Sequence, residues 1–332
     1  MEKIAKDVMN AAQLAASLEV SATPKPGNVH RNADYPSTKF EHFLSGAVAL
    51  GPAISSAASQ GIKVGSDVIK YNEIGIGKYV KQAVQDVKSW HNGGNTHLGS
   101  IMLFVPLSAS AAILKKRESK IMVESLRKEV VKVMEATTTQ DTLDFYDAVS
   151  SLNLGWLGEI RLKDRPDINS SHSINQIKNS GITFFEIMQS SSEWDGISHE
   201  LTNGLSASFT IGYPSFIETY TEIQDVNVAT VNAFLKILSE IPDTFIARKI
   251  GLEITHNISE AVKIGMPLSQ KISEKSKKIL DECRGMLSEK GQAEIVEMDE
   301  ELRRSAGNLN PGTTADITAA SLMIALLTGF RV

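Results

Sequence analysis

One cysteine in 332 residues, Cys283, excludes an intrachain disulfide framework and any cysteine-cluster metal site. It sits in a charged helical stretch with no evident partner and reads as an incidental thiol. Basic surplus is also missing: the formal net charge is −5 and the pI about 5.9. A protein built around a nucleic-acid backbone concentrates positive charge, so small molecules are the expected partners and nucleic acid is not. The start, Met1-Glu2-Lys3-Ile4, has no basic flank followed by an apolar block, so no signal peptide is expected. The longest uncharged apolar stretch, Leu98 to Leu114, contains Pro106 and several serines. It falls short of the roughly 20 residues a membrane span needs, which predicts a buried helix in a cytoplasmic protein with no membrane partner. Fixed-period repeats, low-complexity segments and alternating strand-like runs are scarce or absent.

Helical periodicity dominates instead. Ile4, Val8, Ala11, Ala12, Ala15 and Leu18 recur at spacings of three and four, which places them on one helix face. Thr38 with Glu41 suggests a capping box opening a second helix, whose apolar run through Phe43, Leu44, Ala47 and Leu50 is expected to stop at Gly61. Ile76, Val80, Ala83, Val84 and Val87 mark a third, followed by a polar loop from Trp90 to Thr96. Leu98 to Leu114 is apolar on most faces and is expected at the centre, kinked at Pro106. Further helices are predicted over Glu118–Glu135, Thr139–Leu152, Phe184–Ser192, Phe216–Glu240, Ile254–Gly265, Ser269–Lys290 and Asp316–Leu327. Arg161 to Ser180, rich in Asp, Asn, Ser and Pro, reads as a mobile loop or partial boundary. A doubly wound α/β fold would need β-branched runs alternating with helices. The expectation is therefore one all-α domain over residues 1–332, a multi-helix bundle with a central apolar helix and its site at helix N-termini.

Polar chemistry gathers where helices meet loops. In Glu19 to Arg31, Pro24 and Pro26 stiffen the chain and Gly27 permits a positive φ, so Lys25 rides on a preorganised turn ahead of Asn28, His30 and Arg31. A rigid cation suits phosphate, although a plain helix exit would use the same residues. In His91 to Ser100, Gly93 and Gly94 lead into a helix whose first N–H groups could hold an anion, with Asn95, Thr96 and His97 offering donors or ligands. This is no Walker sequence, because the terminal lysine and its spacing are missing. Gly212-Tyr213-Pro214 is followed by Pro242 to Lys249, where Asp243 could bind a metal or cap a helix and Arg248 offers a planar fork for phosphate or a structural salt bridge. Last, Pro311-Gly312 turns into a helix carrying Thr313, Thr314 and Asp316. Near that N-terminus the Asp316 carboxylate is expected to stay ionised.

The order and wording of these junctions resemble the triphosphoribosyl-dephospho-CoA synthase family over nearly the whole chain. The resemblance rests on Glu19, Pro24-Lys25-Pro26-Gly27, Gly94-Asn95-Thr96-His97 with Gly99, Gly212-Tyr213-Pro214, Asp243-Thr244 with Arg248, and Pro311-Gly312 with Ala315-Asp316. It implies an all-helical enzyme that joins ATP to 3′-dephospho-CoA and releases adenine, with Mg²⁺ gathering the triphosphate. On that reading Lys25, His97 and Arg248 go to the phosphates, helped by Gly27, Asn28, Gly94, Asn95, Thr96, Pro311, Gly312 and Thr314. Glu19, Asp243 and Asp316 are the candidates for catalysis, with Asp243 and Asp316 also the candidate metal ligands. Homo-oligomerisation is left open.

The chain departs from the family pattern at its junctions. Asn28 to Asp34 lacks the expected Gly-x-His-x-Asp-Met stretch, Asp34 standing as a partial replacement, and Arg248-Lys249-Ile250-Gly251 replaces Arg-Gly-Gly. Another acceptor such as a pterin precursor is therefore the alternative within the same chemistry, and a non-catalytic nucleotide-binding regulator the alternative outside it.

Overall fold

The computed structural model describes residues 2–118, 120–152, 173–305 and 307–332. Its elements run α1 (Glu2–Ser21), α2 (Phe40–Ala49), α3 (Gly51–Gly65), α4 (Ile76–Trp90), α5 (Leu98–Arg117), α6 (Val123–Glu135), α7 (Thr139–Ser151), α8 (Ser173–Ser180), α9 (Phe184–Ser191), α10 (Gly196–Thr202), α11 (Tyr213–Ile223), α12 (Val226–Glu240), α13 (Thr244–Leu252), α14 (Ile258–Cys283), α15 (Glu289–Arg303) and α16 (Gly312–Leu327). Short 3₁₀ or π turns lie at Tyr71–Glu73, Ser208–Gly212 and Gly285–Leu287. Among the described residues there is no β-strand, and the all-α expectation holds.

Two helices are apolar all round, and they organise the rest. Residues 100–114 of α5 are all buried, Ser108 and Ser110 among them, and α16 is buried from Ile317 to Leu327. Against them pack α1, α3, α4, α6 and α10, forming the larger core. A second apolar cluster joins α12, α14 and α15 through Phe234, Leu235, Ile279, Ile295 and Met298. Ala5, Ala11, Ala12, Ala15 and Ala16 lie along the buried face of α1 and let that helix sit close to α2, α3, α5 and α16.

Several boundaries differ from the sequence expectation, each for a local reason. The helix begun near Thr38 breaks at Leu50, where Pro52 opens α3, and α3 then runs through Gly61 to Gly65. Gly61 is a close-approach residue, since a methyl there would strike the Ala109 carbonyl of α5. Nor do Thr38 and Glu41 cap α2: the His42 ring accepts the Lys39 N–H at 3.1 Å, while Thr38 donates to the Gly93 carbonyl. The segment from Phe216 to Glu240 divides at Gln224, held at φ +52°, after which Asp225 caps α12. The two helices expected on either side of Pro267 form one, α14, with the proline inside it. Helices α10, α13 and, beyond Lys290, α15 lie outside the expected spans. The irregular stretch expected over Arg161 to Ser180 lies outside the described residues as far as 172, and its end forms α8.

Helix α5 extends to Arg117, past the expected end at Leu114. It is therefore long and apolar enough by composition to cross a membrane, correcting the length argument, but 83% of its apolar window is buried among the other helices. Helix α5 runs on through Pro106 without a break.

Candidate active site

The C-terminal turn of α1, the N-termini of α5 and α16, and parts of α7, α9, α10 and α13 enclose a cavity of about 220 Å³. Its polar lining includes Glu19, Asn28, Asn95, Thr96, His97, Ser100, Arg248 and Asp316. Its apolar and aromatic lining includes Phe145, Tyr146, Ile187, Met188 and Trp194.

Asp316 is one of the polar lining residues. Helix α16 starts at Gly312, so this acid lies beyond the first turn and draws little from its own helix dipole. It faces the start of α5 instead: the Ser100 hydroxyl donates to Oδ1 at 2.5 Å, and the Ser100 backbone N–H also bonds the carboxylate. Gly99 admits the approach, because a methyl there would run into the carboxylate. The expectation that Asp316 stays firmly ionised is overturned. Burial, aided by the negative charge of Glu19, pushes its carboxyl up to about 7 against the pull of Ser100.

Glu19 is 6% exposed and lines the cavity, while Lys25 is fully buried behind it. The Lys25 ammonium donates to Glu19 Oε1 and, at 2.9 Å, to the Glu19 carbonyl, and lies 5.9 Å from the centre of the Phe234 ring. Burial pushes the Glu19 carboxyl up and the Lys25 ammonium down, and their mutual contact opposes both shifts. Lys25 is thus directed into the protein, contrary to its expected place on phosphate. The turn that carries it is clamped from α15. The Gly27 N–H donates to Asp299 Oδ1 at 2.8 Å, His30 Nε2 meets Asp299 Oδ2 at 3.2 Å, and Arg303 donates to Asp299 and to the Asn28 carbonyl. Gly27 has φ +69° and abuts Leu302 and the Leu309 carbonyl, so it shapes the turn without reaching the cavity. Asn28 does reach it and ties across to the Pro311 carbonyl at 3.2 Å.

Asp243 is 1% exposed and does not line the cavity. As N-cap of α13 its Oδ1 accepts from Phe245 and Ile246 N–H, and Oδ2 accepts from the Thr314 N–H at 2.7 Å and the Thr314 hydroxyl at 2.8 Å. The carboxylate is therefore consumed in joining α13 to α16, which corrects its catalytic and metal-binding expectation and removes Thr314 from the phosphate set. Pro311 is the N-cap residue of α16 and lies behind the lining, whereas Gly312 borders the cavity. Gly94, at φ +72°, borders a small adjacent pocket with Asn95, whose Oδ1 caps the Leu98 N–H at 3.1 Å. Asp34 is an exposed acceptor for the Phe40 N–H and plays no part here.

His97 is 3% exposed, and burial, with the nearby His91 charge second, holds its imidazole down to about 3. It is a neutral ring, so at the phosphate position expected for it the ring would offer a donor without charge. Arg248 remains in place as a cavity-lining guanidinium, 3.8 Å from the Asp195 carboxylate. Sequence reading missed Asp195, Ser100 and the aromatic wall; Ser100 alone had a signal, its place directly after Gly99 at the helix start. Among the described residues no three His, Cys, Asp or Glu side chains gather to hold a metal. With Asp243 spent on donors and Asp316 tied to Ser100, the protein donors do not fit a resident Mg²⁺.

A cavity among helices, lined by carboxyl groups of which one is poised near neutrality, fits a helical small-molecule enzyme. A profile of the family described as ATP:dephospho-CoA triphosphoribosyl transferase matches residues 5–331, and the chain belongs to that family of transferases. A solved structure of a candidate triphosphoribosyl-dephospho-CoA synthase from Archaeoglobus fulgidus is similar in fold, with a TM-score of 0.59 and 26% sequence identity over 88% of this chain and 100% of that one. No curated protein matches the chain.

Proposed function

We propose that this cavity is where the chain joins ATP to dephospho-CoA, a ribose hydroxyl of the acceptor attacking the anomeric carbon of ATP as adenine departs. A C–O bond forms and the C–N bond to adenine breaks; the hydroxyl loses a proton and the departing base requires hydrogen bonding or a proton. Positive charge develops on the ribose ring in the transition state, as in glycoside cleavage, so carboxylates beside the anomeric carbon lower the barrier.

The supporting observation is the Asp316 carboxyl, half-buried at the cavity lining, hydrogen-bonded to Ser100 and raised to about 7. A group with that affinity takes a proton near neutral pH without holding it irreversibly, which fits the base for the incoming hydroxyl. Glu19, backed by Lys25, supplies the second acidic group at the lining. Arg248 gives the triphosphate a bidentate partner, and Asn28 and Asn95 give neutral donors. Magnesium enters with the nucleotide as its counter-ion, as part of the substrate.

Incubation of the protein with labelled ATP, magnesium and dephospho-CoA tests the reading. Free adenine with an enlarged CoA product is expected. ATP binding without adenine release would overturn catalysis in favour of a regulator, and adenine release that needs another acceptor would overturn dephospho-CoA as substrate.

A further inference from the structure

A directed chain of hydrogen bonds ends at the cavity in His97. It begins at the Gly93 N–H, which donates to His91 Nδ1 at 3.1 Å. A backbone N–H can only donate, so Nδ1 of neutral His91 is bare and its proton sits on Nε2. His91 Nε2 meets Thr96 Oγ1 at 3.0 Å. Thr96 accepts there, and because its hydroxyl has no other acceptor among the described residues, its own proton goes to His97 Nδ1, 2.7 Å away. His97 Nδ1 must then be bare as well, and its proton lies on Nε2, the ring's one remaining polar atom.

The surroundings keep the relay in place. His42 stacks on His91 with ring centres 5.5 Å apart, and its own Nδ1 accepts from the Lys39 N–H. Gly46 of α2 packs on the Nδ1–Cε1 edge of His97, where any side chain would collide, and the Phe43 ring lies 5.5 Å away. Burial lowers both His91 and His97 from their ordinary value, which keeps each ring neutral and its tautomer defined.

We propose that His91 and Thr96 are positioning residues that fix His97 as a neutral Nε2–H donor, and that this donor binds a ring nitrogen of the adenine base rather than a phosphate oxygen. The assignment rests on the ATP reading above. A neutral donor beside Phe43, Leu98 and Met102 suits a flat heteroaromatic acceptor, whereas a polyanion would favour a cationic ring. In the reaction such a bond stabilises charge collecting on the base as the C–N bond breaks.

Nitrogen-15 NMR of the histidine rings in the full chain tests the relay. His97 is expected as the Nε2–H tautomer in the wild type, to lose that fixed state in Thr96→Val, and to recover it in Thr96→Ser. An Nδ1–H tautomer in the wild type overturns the proposal. Calorimetry with adenine and with tripolyphosphate separates base from phosphate. His97→Leu should weaken adenine binding about tenfold, the scale of one lost hydrogen bond, and leave tripolyphosphate unchanged. His97→Gln, which restores an amide donor, should recover most of it. The reverse pattern, tripolyphosphate weakened and adenine untouched, overturns the base assignment alone. Wild-type protein that binds neither probe overturns the ATP reading and this assignment with it. If His97→Leu does not fold, Thr96→Val and Thr96→Ser decide by the same adenine titration, with loss in the first and recovery in the second expected.

Discussion

Replacing Asp316 by Asn removes a titrating proton while keeping an oxygen to accept the Ser100 hydroxyl. In the folded chain the carboxyl sits at about 7, against an ordinary 3.8 once unfolded. The folded protein therefore holds about one more proton than the unfolded chain between roughly pH 4 and pH 7, so stability falls as pH rises through that window. The contribution is complete below about pH 4 and gone above about pH 7. At about 1.4 kcal/mol per pH unit, the two units between roughly pH 5 and pH 7 are worth about 3 kcal/mol. Measured by urea unfolding at about pH 5 and about pH 8, wild type should lose that much stability relative to Asp316→Asn. Adenine release should rise through neutral pH in the wild type and vanish in the variant. A stability difference that does not change with pH would refute the buried-proton argument. Wild-type turnover in Asp316→Asn would remove the acid from the chemistry.

Glu19→Gln leaves the Lys25 ammonium buried without its partner and should cost about 3 kcal/mol or more, with Glu19→Gln plus Lys25→Met costing less than the single change. A double-mutant cycle by denaturation reads this, and additive losses would deny the coupling. Gly99→Ala pushes a methyl into the Asp316 carboxylate, so turnover should drop at least tenfold with a stability loss of about 1–3 kcal/mol; unchanged turnover would mean the carboxylate can sit elsewhere. Asp243→Asn loses an acceptor for the Thr314 N–H and should lower stability by about 2 kcal/mol while turnover per folded molecule persists. Intact stability with abolished turnover would return Asp243 to the site.

The helices that bury one stripe were legible because their period is written into local sequence, as in Ile4 to Leu18 or Ile76 to Val87. Breaks set by tertiary contact were not. Gly61 reads as a stop, yet it serves a helix crossing at Ala109, and Pro267 reads as a boundary inside a continuous helix. For the site, the junction residues were the right neighbourhood: Glu19, Asn28, Asn95, Thr96, His97, Arg248, Gly312 and Asp316 converge on one cavity. Which way each points was not legible. Lys25 turns inward because Glu19, six residues earlier, awaits it, and Asp243 is claimed by Thr314, 71 positions later. The clamp between Gly27 and Asp299 spans 272 positions, and no local pattern marks such a pairing. Asp316 was misjudged because its charge state depends on burial against α5 and on Glu19, neither of which lies in its own helix.

The Asp316 carboxyl hangs between the two most deeply enclosed helices, α5 and α16, so its coordinates are inherited from the interior rather than from an adjustable surface segment. Phe145 and Ile187, from the shorter helices α7 and α9, and Trp194, from the turn between α9 and α10, make a wall of the cavity that can be exchanged without moving the acid. New acceptors would be accommodated by recarving that wall, while the ribose chemistry stays constant.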